Sequence, residues 1–182
     1  MTIDWAILDG IQEVLGGSVM DSIMPFITVL GDAGMIWIVI GVCLLITKKY
    51  RKAGFLVLCG LLLGLIIGNG IIKNSVQRPR PCWINKDFNL LIPIPKDYSF
   101  PSGHTQASVI AATILTLYKR KWGIVVIPFA VMIAFSRLYL YVHFPSDVLG
   151  GALLGLIIGF VTFFCGNKIL EQINNKNKLS GY

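Results

Sequence analysis

Five long apolar runs, each closed by charged or turn-forming residues, constrain this chain more than any other feature. They cover roughly residues 27–47, 53–72, 103–118, 123–141 and 148–165. A helix needs about 20 mostly apolar residues to cross a bilayer core. The third run is short, which fits a helix that starts below the membrane surface beside a recessed site. Across 182 residues, hydrophobic residues make up 55% and charged ones only 14%, too little polar surface to coat a water-soluble globule. The expected fold is all-α: a single polytopic membrane helix bundle over residues 1–182, with five to six transmembrane helices. The sixth depends on residues 19–30, which read either as an interfacial helix or, through Pro25, as the bent start of the first span.

Ahead of the spans, Ile7, Leu8, Ile11 and Leu15 share a helical face opposite Asp9, Gln12 and Glu13. Residues 1–18 therefore read as an amphipathic helix lying along the interface. The first 47 residues carry no Lys or Arg, so no cleavable signal peptide is expected. Cys43, Cys59 and Cys165 lie within apolar runs and Cys82 stands alone in a polar loop, so no structural disulfide is expected. Glycines recur every four residues at Gly60, Gly64, Gly68 and at Gly151, Gly155, Gly159. Such stripes let helices approach closely. Packing within the chain is the favoured reading, with a homodimer interface as the alternative.

Orientation follows from the basic residues. Lys48, Lys49, Arg51 and Lys52, then Lys119, Arg120 and Lys121, then Lys168, Lys176 and Lys178 all fall on one side of a five-span bundle. That side is expected to be cytoplasmic, together with a tail over 168–182 whose polar end, 174–182, reads as disordered. The net charge of +7 does not suggest nucleic acid, because no basic stripe with interleaved aromatics exists. The extracytoplasmic side receives the loop 82–100 and Lys73, Arg78, Arg80, Lys86, Lys96 and Arg137. These residues break the topological trend and need another reason.

Three constellations supply it. Lys73-Asn-Ser-Val-Gln-Arg78-Pro-Arg80-Pro81 places cations at the outer end of the second span, where Pro79 and Pro81 stop the helix. Arg offers a planar fork that matches phosphate oxygens, and Lys a compact charge. Pro101-Ser102-Gly103-His104 opens an apolar helix, whose free N–H groups and dipole make an anion seat. There Ser102 can cap or bind, and Gly103 permits close backbone approach. Finally, Ser136-Arg137-x5-His143-x3-Asp147 sets a carboxylate four residues after a histidine. On a helix with Pro145 in its first turn or just before it, the two share a face, so Asp147 could accept a hydrogen bond from one ring nitrogen and leave the other as a lone-pair nucleophile. Each set has a plain alternative: headgroup binding, a capped helix, a structural His–Asp pair. Taken together they fit phosphoryl transfer, which rests on positioning and charge neutralisation. Both histidines of the chain lie in them. No thiolate, carboxylate cluster or three-histidine set accompanies them, so neither metal nor cofactor is expected.

The three sets, in this order and spacing, resemble the signature of the type 2 phosphatidic acid phosphatase superfamily, over Lys73 to Asp147. The resemblance implies that Lys73, Arg80 and Arg137 clamp phosphate with help from Ser102 and Gly103. It implies that His143 attacks phosphorus, oriented by Asp147, and that His104 protonates the leaving oxygen without a metal. Tyr141 departs from the small residue common two positions before this histidine, and is expected to narrow the pocket.

The loop 82–100, with Trp83, Leu90, Leu91, Ile92, Pro93, Ile94 and Pro95, is too long for a connector. It is expected to dip into the interface and gate lipid entry, with an inert amphiphilic loop as the alternative. A recessed site favours a lipid-borne phosphate. Undecaprenyl diphosphate is the first choice, ahead of phosphatidylglycerophosphate or phosphatidate. A lipid phosphotransferase and a non-enzymatic membrane protein are the rivals.

Overall fold

A computed structural model describes residues 2–179. Among them every regular element is helical: α1 (Thr2–Leu15), α2 (Ser18–Leu30), α3 (Met35–Ile46), α4 (Arg51–Gly64), α5 (Lys73–Val76), α6 (Pro81–Ile84), α7 (Gly103–Tyr118), α8 (Gly123–Tyr139) and α9 (Pro145–Leu179). A π-helical stretch, Leu65–Ile72, carries α4 into α5. Gln77 then takes a left-handed conformation, and α5 ends there.

Three helical segments are long and apolar enough to cross a membrane: Arg51–Ile84, Arg120–Tyr139 and Pro145–Ile173. A fourth arises if α2 and the segment from Asp32 to Ile46, bent by 44° at their junction, count as one span. The expected five to six spans are thus matched by three or four of sufficient length. Two regions make the difference: α7 has only 16 residues, and α2 and α3 count only together as a bent pair.

Short as it is, α7 is the centre of the bundle. Thr105, Gln106, Ser108, Ile110, Ala111 and Ile114 are all buried along it. Trp37 of α3 donates its indole N–H to Ser108 Oγ at 2.9 Å. Both glycine stripes face α7. A Cβ on Gly60 would lie 2.8 Å from Ile110 and Ile114, and one on Gly155 would lie 2.8 Å from the Gln106 carbonyl oxygen. The stripes therefore let α4 and α9 close on α7. The favoured reading of them, packing within the chain, describes the contacts these glycines make.

Helix α1 keeps only part of its expected apolar face inward. Leu8 is fully buried with Tyr141 and Phe144, whereas Ile7 and Leu15 remain exposed. At the other end, α9 continues to Leu179, so residues 174–179 are helical rather than disordered. Residues 180–182 of that expected tail lie outside the described residues. Cys82, read as a loop residue, is buried in α6.

The helix directions separate two ends of the bundle. Lys49 and Lys119 both approach the Tyr50 ring, and Lys52 pairs with Glu171 at 4.0 Å, so the basic segments gather at one end. The opposite end receives the end of α4–α5, the start of α7, the end of α8 and the start of α9. Lys73, His104, Arg137 and Asp147 lie at those four helix ends.

Candidate active site

Lys73, Gly103, His104, Arg80, Arg137 and His143 line one cavity of about 890 Å³. Asp32, Asn69, Asp97 and Gln106 also line it, and its apolar walls include Ile38, Leu58, Leu61, Leu62 and Leu65 from α3, α4 and the π stretch, and Ile92, Pro93 and Ile94 from the long loop. The cavity thus has a cationic floor and an apolar side.

Lys73, Arg80 and Arg137 are all buried. Buried cations need partners, since an uncompensated charge is costly in low dielectric. Asp97 supplies one, its carboxylate meeting Lys73 Nζ at 2.5 Å and Arg80 Nη2 at 2.8 Å. Burial pushes the Asp97 carboxyl up, but Lys73 and Arg80 outweigh that and hold it below the usual carboxylate range. Arg80 is fixed further by the carbonyls of Asp97 and Val142. Arg137 donates Nη1 to Thr28 Oγ1, while its Nε has no hydrogen-bond partner among the described residues. An arginine with a spare buried donor on a cavity wall suits an incoming anion.

His143 sits in the turn between α8 and α9, 1% exposed. Arg80 Nη1 lies 3.0 Å from its Nε2. A guanidinium can only donate, so Nε2 is assigned as the acceptor and its lone pair lies on the side of the cations. Burial, followed by the positive charges of Arg80 and Arg137, pushes the His143 pKa well below its usual value. The ring is therefore neutral near pH 7.

The expected contact from Asp147 to His143 is not made directly. The nearest approach, Nδ1 to Oδ2, is 3.7 Å, beyond hydrogen-bond reach. His143 is not on a helix, because Pro145 is the first residue of α9. Asp147 is thus the third helical residue, and its Oδ2 reaches back to the Phe144 N–H at 2.8 Å, one half of a capping box. Ser99 Oγ lies between the two groups, 2.5 Å from Oδ2 and 3.3 Å from Nδ1. Arg78 holds the other carboxylate oxygen at 2.6 Å and also meets Asp4 of α1 at 2.8 Å.

His104, in the first turn of α7, has Nε2 at 2.8 Å from Asp32 Oδ1. Ser102 precedes α7 without a side-chain cap, contrary to the capping option. Its hydroxyl instead accepts from Thr105 Oγ1 at 3.0 Å. A Cβ on Gly103 would lie 3.1 Å from Asn69 Oδ1. Tyr141 does not narrow the cavity. It turns toward α1, stacked 4.1 Å from Phe88 and donating to Asp9 at 2.7 Å. Its φ of 57° is uncommon for a bulky residue and easy for glycine, which gives a physical reason for a small residue at this position.

All the residues singled out in the three motifs thus converge at one end of the bundle. Asp97, Ser99, Asp32, Arg78 and Thr28 were not among the expected site residues. Arg78 stood out as a basic residue against the topological trend; the others gave no motif signal.

A helical membrane bundle whose end gathers cations and two histidines around one cavity is the form of an integral membrane phosphatase. Residues 53–170 match the PAP2 superfamily, and the chain belongs to it; it is a phosphatase, a hydrolase of phosphate ester or diphosphate bonds. It is 35% identical to an undecaprenyl-diphosphatase of Sulfolobus acidocaldarius, over 79% of this chain and 69% of that one. It is 33% identical to the undecaprenyl-diphosphatase BcrC of Bacillus subtilis, over 80% and 75%. The crystal structure of a transmembrane PAP2-type phosphatidylglycerolphosphate phosphatase from Bacillus subtilis superposes with a TM-score of 0.74 at 27% identity, covering 92% of this chain and 86% of that one.

Proposed function

We propose that this protein removes the terminal phosphate of a membrane-lipid diphosphate, most closely undecaprenyl diphosphate, through a phosphohistidine on His143. The single observation that carries this reading is the two-natured cavity, with cations at its floor and aliphatic side chains along its side. Ile38, Leu62 and Leu65 of that wall are exposed, and a lipid chain would lie against them. The two undecaprenyl-diphosphatases that are 35% and 33% identical over the matched residues favour a diphosphate. The phosphatidylglycerolphosphate phosphatase of similar structure makes a phosphate monoester the second reading.

In this mechanism Lys73, Arg80 and Arg137 bind the terminal phosphoryl oxygens, with Ser102 and Gly103 at the start of α7. As Arg80 Nη1 turns from Nε2 to the phosphoryl oxygens, His143 Nε2 forms a bond to phosphorus while the bond to the bridging oxygen breaks, and that oxygen takes a proton from His104. Water then attacks the phosphohistidine and gives its proton to His104. The N–P bond breaks, phosphate leaves, and both histidines return to their starting state. No metal takes part. The gathering of basic residues at the opposite end supports an extracytoplasmic site, with α1 on the membrane surface and α7 as a short fifth span.

Phosphate release from a panel of lipid phosphates, assayed in detergent with EDTA, tests the reading. The expected order is undecaprenyl diphosphate ahead of phosphatidylglycerophosphate and phosphatidate, with His143→Ala inactive but folded. Activity abolished by EDTA and restored by Mg²⁺ would overturn the metal-free mechanism. Labelled phosphate passed to a lipid acceptor rather than to water would make the protein a transferase.

A further inference from the structure

We propose that Ser99 is a positioning residue that couples His143 to Asp147, so that the nucleophile works through a three-member relay rather than a direct histidine–carboxylate pair. The proposal rests on His143 as the attacking group.

Four observations support it. First, Asp147 is held away from the ring: Phe144 N–H and Arg78 fix its two oxygens, leaving Oδ2 3.7 Å from Nδ1. Second, Ser99 has no exposed surface, and its Oγ is the one group that bridges the gap among the described residues. Third, the hydrogen-bond directions close without ambiguity. Arg80 can only donate, so Nε2 accepts, and the proton of the neutral ring is therefore on Nδ1. Nδ1–H donates to Ser99 Oγ, and the serine hydroxyl donates to Asp147. Fourth, the backbone of Ser99 is anchored where the relay needs it, its N–H donating to the Arg78 carbonyl at 2.8 Å, while the Arg78 side chain holds Asp147.

The relay has a chemical task. When Nε2 bonds to phosphorus, the imidazole becomes cationic while Nδ1 keeps its proton. The Nδ1–H···Oγ–H···Oδ2 chain then stabilises that charge from a buried carboxylate, and no proton has to leave. The neutral ring gains less from the same acceptor, because hydrogen bonds to ionised groups are the stronger ones. Asp97, two residues earlier, contacts Lys73 and Arg80. One short stretch of the long loop therefore touches both the anion-binding cations and the nucleophile's support.

Ser99→Ala removes one oxygen and leaves every proposed phosphate-binding side chain in place. The expected result is a fall in kcat of about tenfold to a hundredfold, less than loss of a directly contacting carboxylate causes in triad enzymes. KM and the inhibition constant of inorganic phosphate are expected to stay within about twofold. The acid limb of kcat/KM is expected to move to lower pH, because the cationic ring loses its acceptor. Ser99→Thr, which keeps a hydroxyl, is expected to return that limb toward the wild-type position. A Ser99→Ala enzyme with kcat within about twofold of wild type and an unmoved limb would overturn the relay. A parallel weakening of phosphate inhibition would also overturn it, as would a Thr variant that keeps the Ala limb. His143→Ala, assayed alongside, separates the two ideas: turnover retained there removes the nucleophile itself, whereas an inactive His143→Ala beside a normal Ser99→Ala removes only the serine.

Discussion

Asp97 meets Lys73 at 2.5 Å, so one of the cations proposed to bind phosphate is already paired with a carboxylate. The second oxygen of Asp97 engages Arg80. An incoming phosphate must therefore compete with a resident anion that stays ionised at neutral pH. Asp97→Asn keeps the shape and removes the charge. Inorganic phosphate is expected to inhibit that variant about three- to tenfold more tightly, a modest gain because the carboxylate is half exposed and screened. Competitive inhibition of phosphate release from a lipid diphosphate measures it.

His143 gives a pH prediction. Its pKa is pushed below the usual value by burial and by Arg80, so the proposed nucleophile stays neutral below the ordinary range. The acid limb of kcat/KM, which reports the free enzyme, is expected below about pH 6.5, where an unperturbed histidine titrates. The same shift has a stability consequence of defined sign. The unfolded chain binds a proton near pH 6.5 that the folded chain refuses, so stability falls as the pH drops through that value. Thermal inactivation followed between neutral and mildly acidic pH checks the direction.

Tyr141 sets two effects against each other. Glycine at this position would relieve a left-handed backbone worth roughly 1–2 kcal/mol. It would also remove a buried ring stacked on Phe88, and loss of a buried aromatic costs roughly 3–5 kcal/mol. Packing wins. Tyr141→Gly is expected to be less stable by about 2 kcal/mol, seen as a lower midpoint in thermal unfolding. Because the side chain lies outside the cavity, turnover per folded molecule at low temperature is expected to change little.

Two glycines separate tight packing from open space. A Cβ on Gly151 would lie 2.6 Å from the Ser102 carbonyl oxygen, whereas one on Gly10 meets nothing within 4 Å. Gly151→Ala is expected to cost roughly 1–3 kcal/mol through overpacking and to lower kcat by displacing the start of α7. Gly10→Ala is expected to be neutral or stabilising by up to about 1 kcal/mol, since alanine favours a helix interior. Purified yield, unfolding midpoint and phosphate release distinguish the pair.

What could be read from the residues alone was whatever has a local signature. Apolar runs located the major helices, and the spacing of Lys73, Arg80, His104, Arg137, His143 and Asp147 picked out side chains that the fold brings together. The contacts joining them had no such signature. Ser99 reaches Asp147 across 48 positions, and Asp32 reaches His104 across 72; no periodicity announces either. The helical reading of His143 and Asp147 failed for a local reason that was visible. Pro145 favours the first helical position and disfavours a helix before it, which leaves the histidine outside. The span count was harder, because α7 owes its place to packing rather than to length or apolarity.

That central, polar-lined α7 also bears on how the molecule comes to exist. Carrying Thr105, Gln106, Ser108 and Thr113 inward, it is poorly suited to stand alone in hydrocarbon, where unshielded polar side chains are costly. Its shelter comes from α3 and α4, made before it, and from α8 and α9, made after it. His143 and Asp147 are made together as α9 begins, 39 residues after His104, so a chain still on the ribosome holds His104 well before it holds the other two. The proposed site is therefore assembled late, when α9 docks on α7.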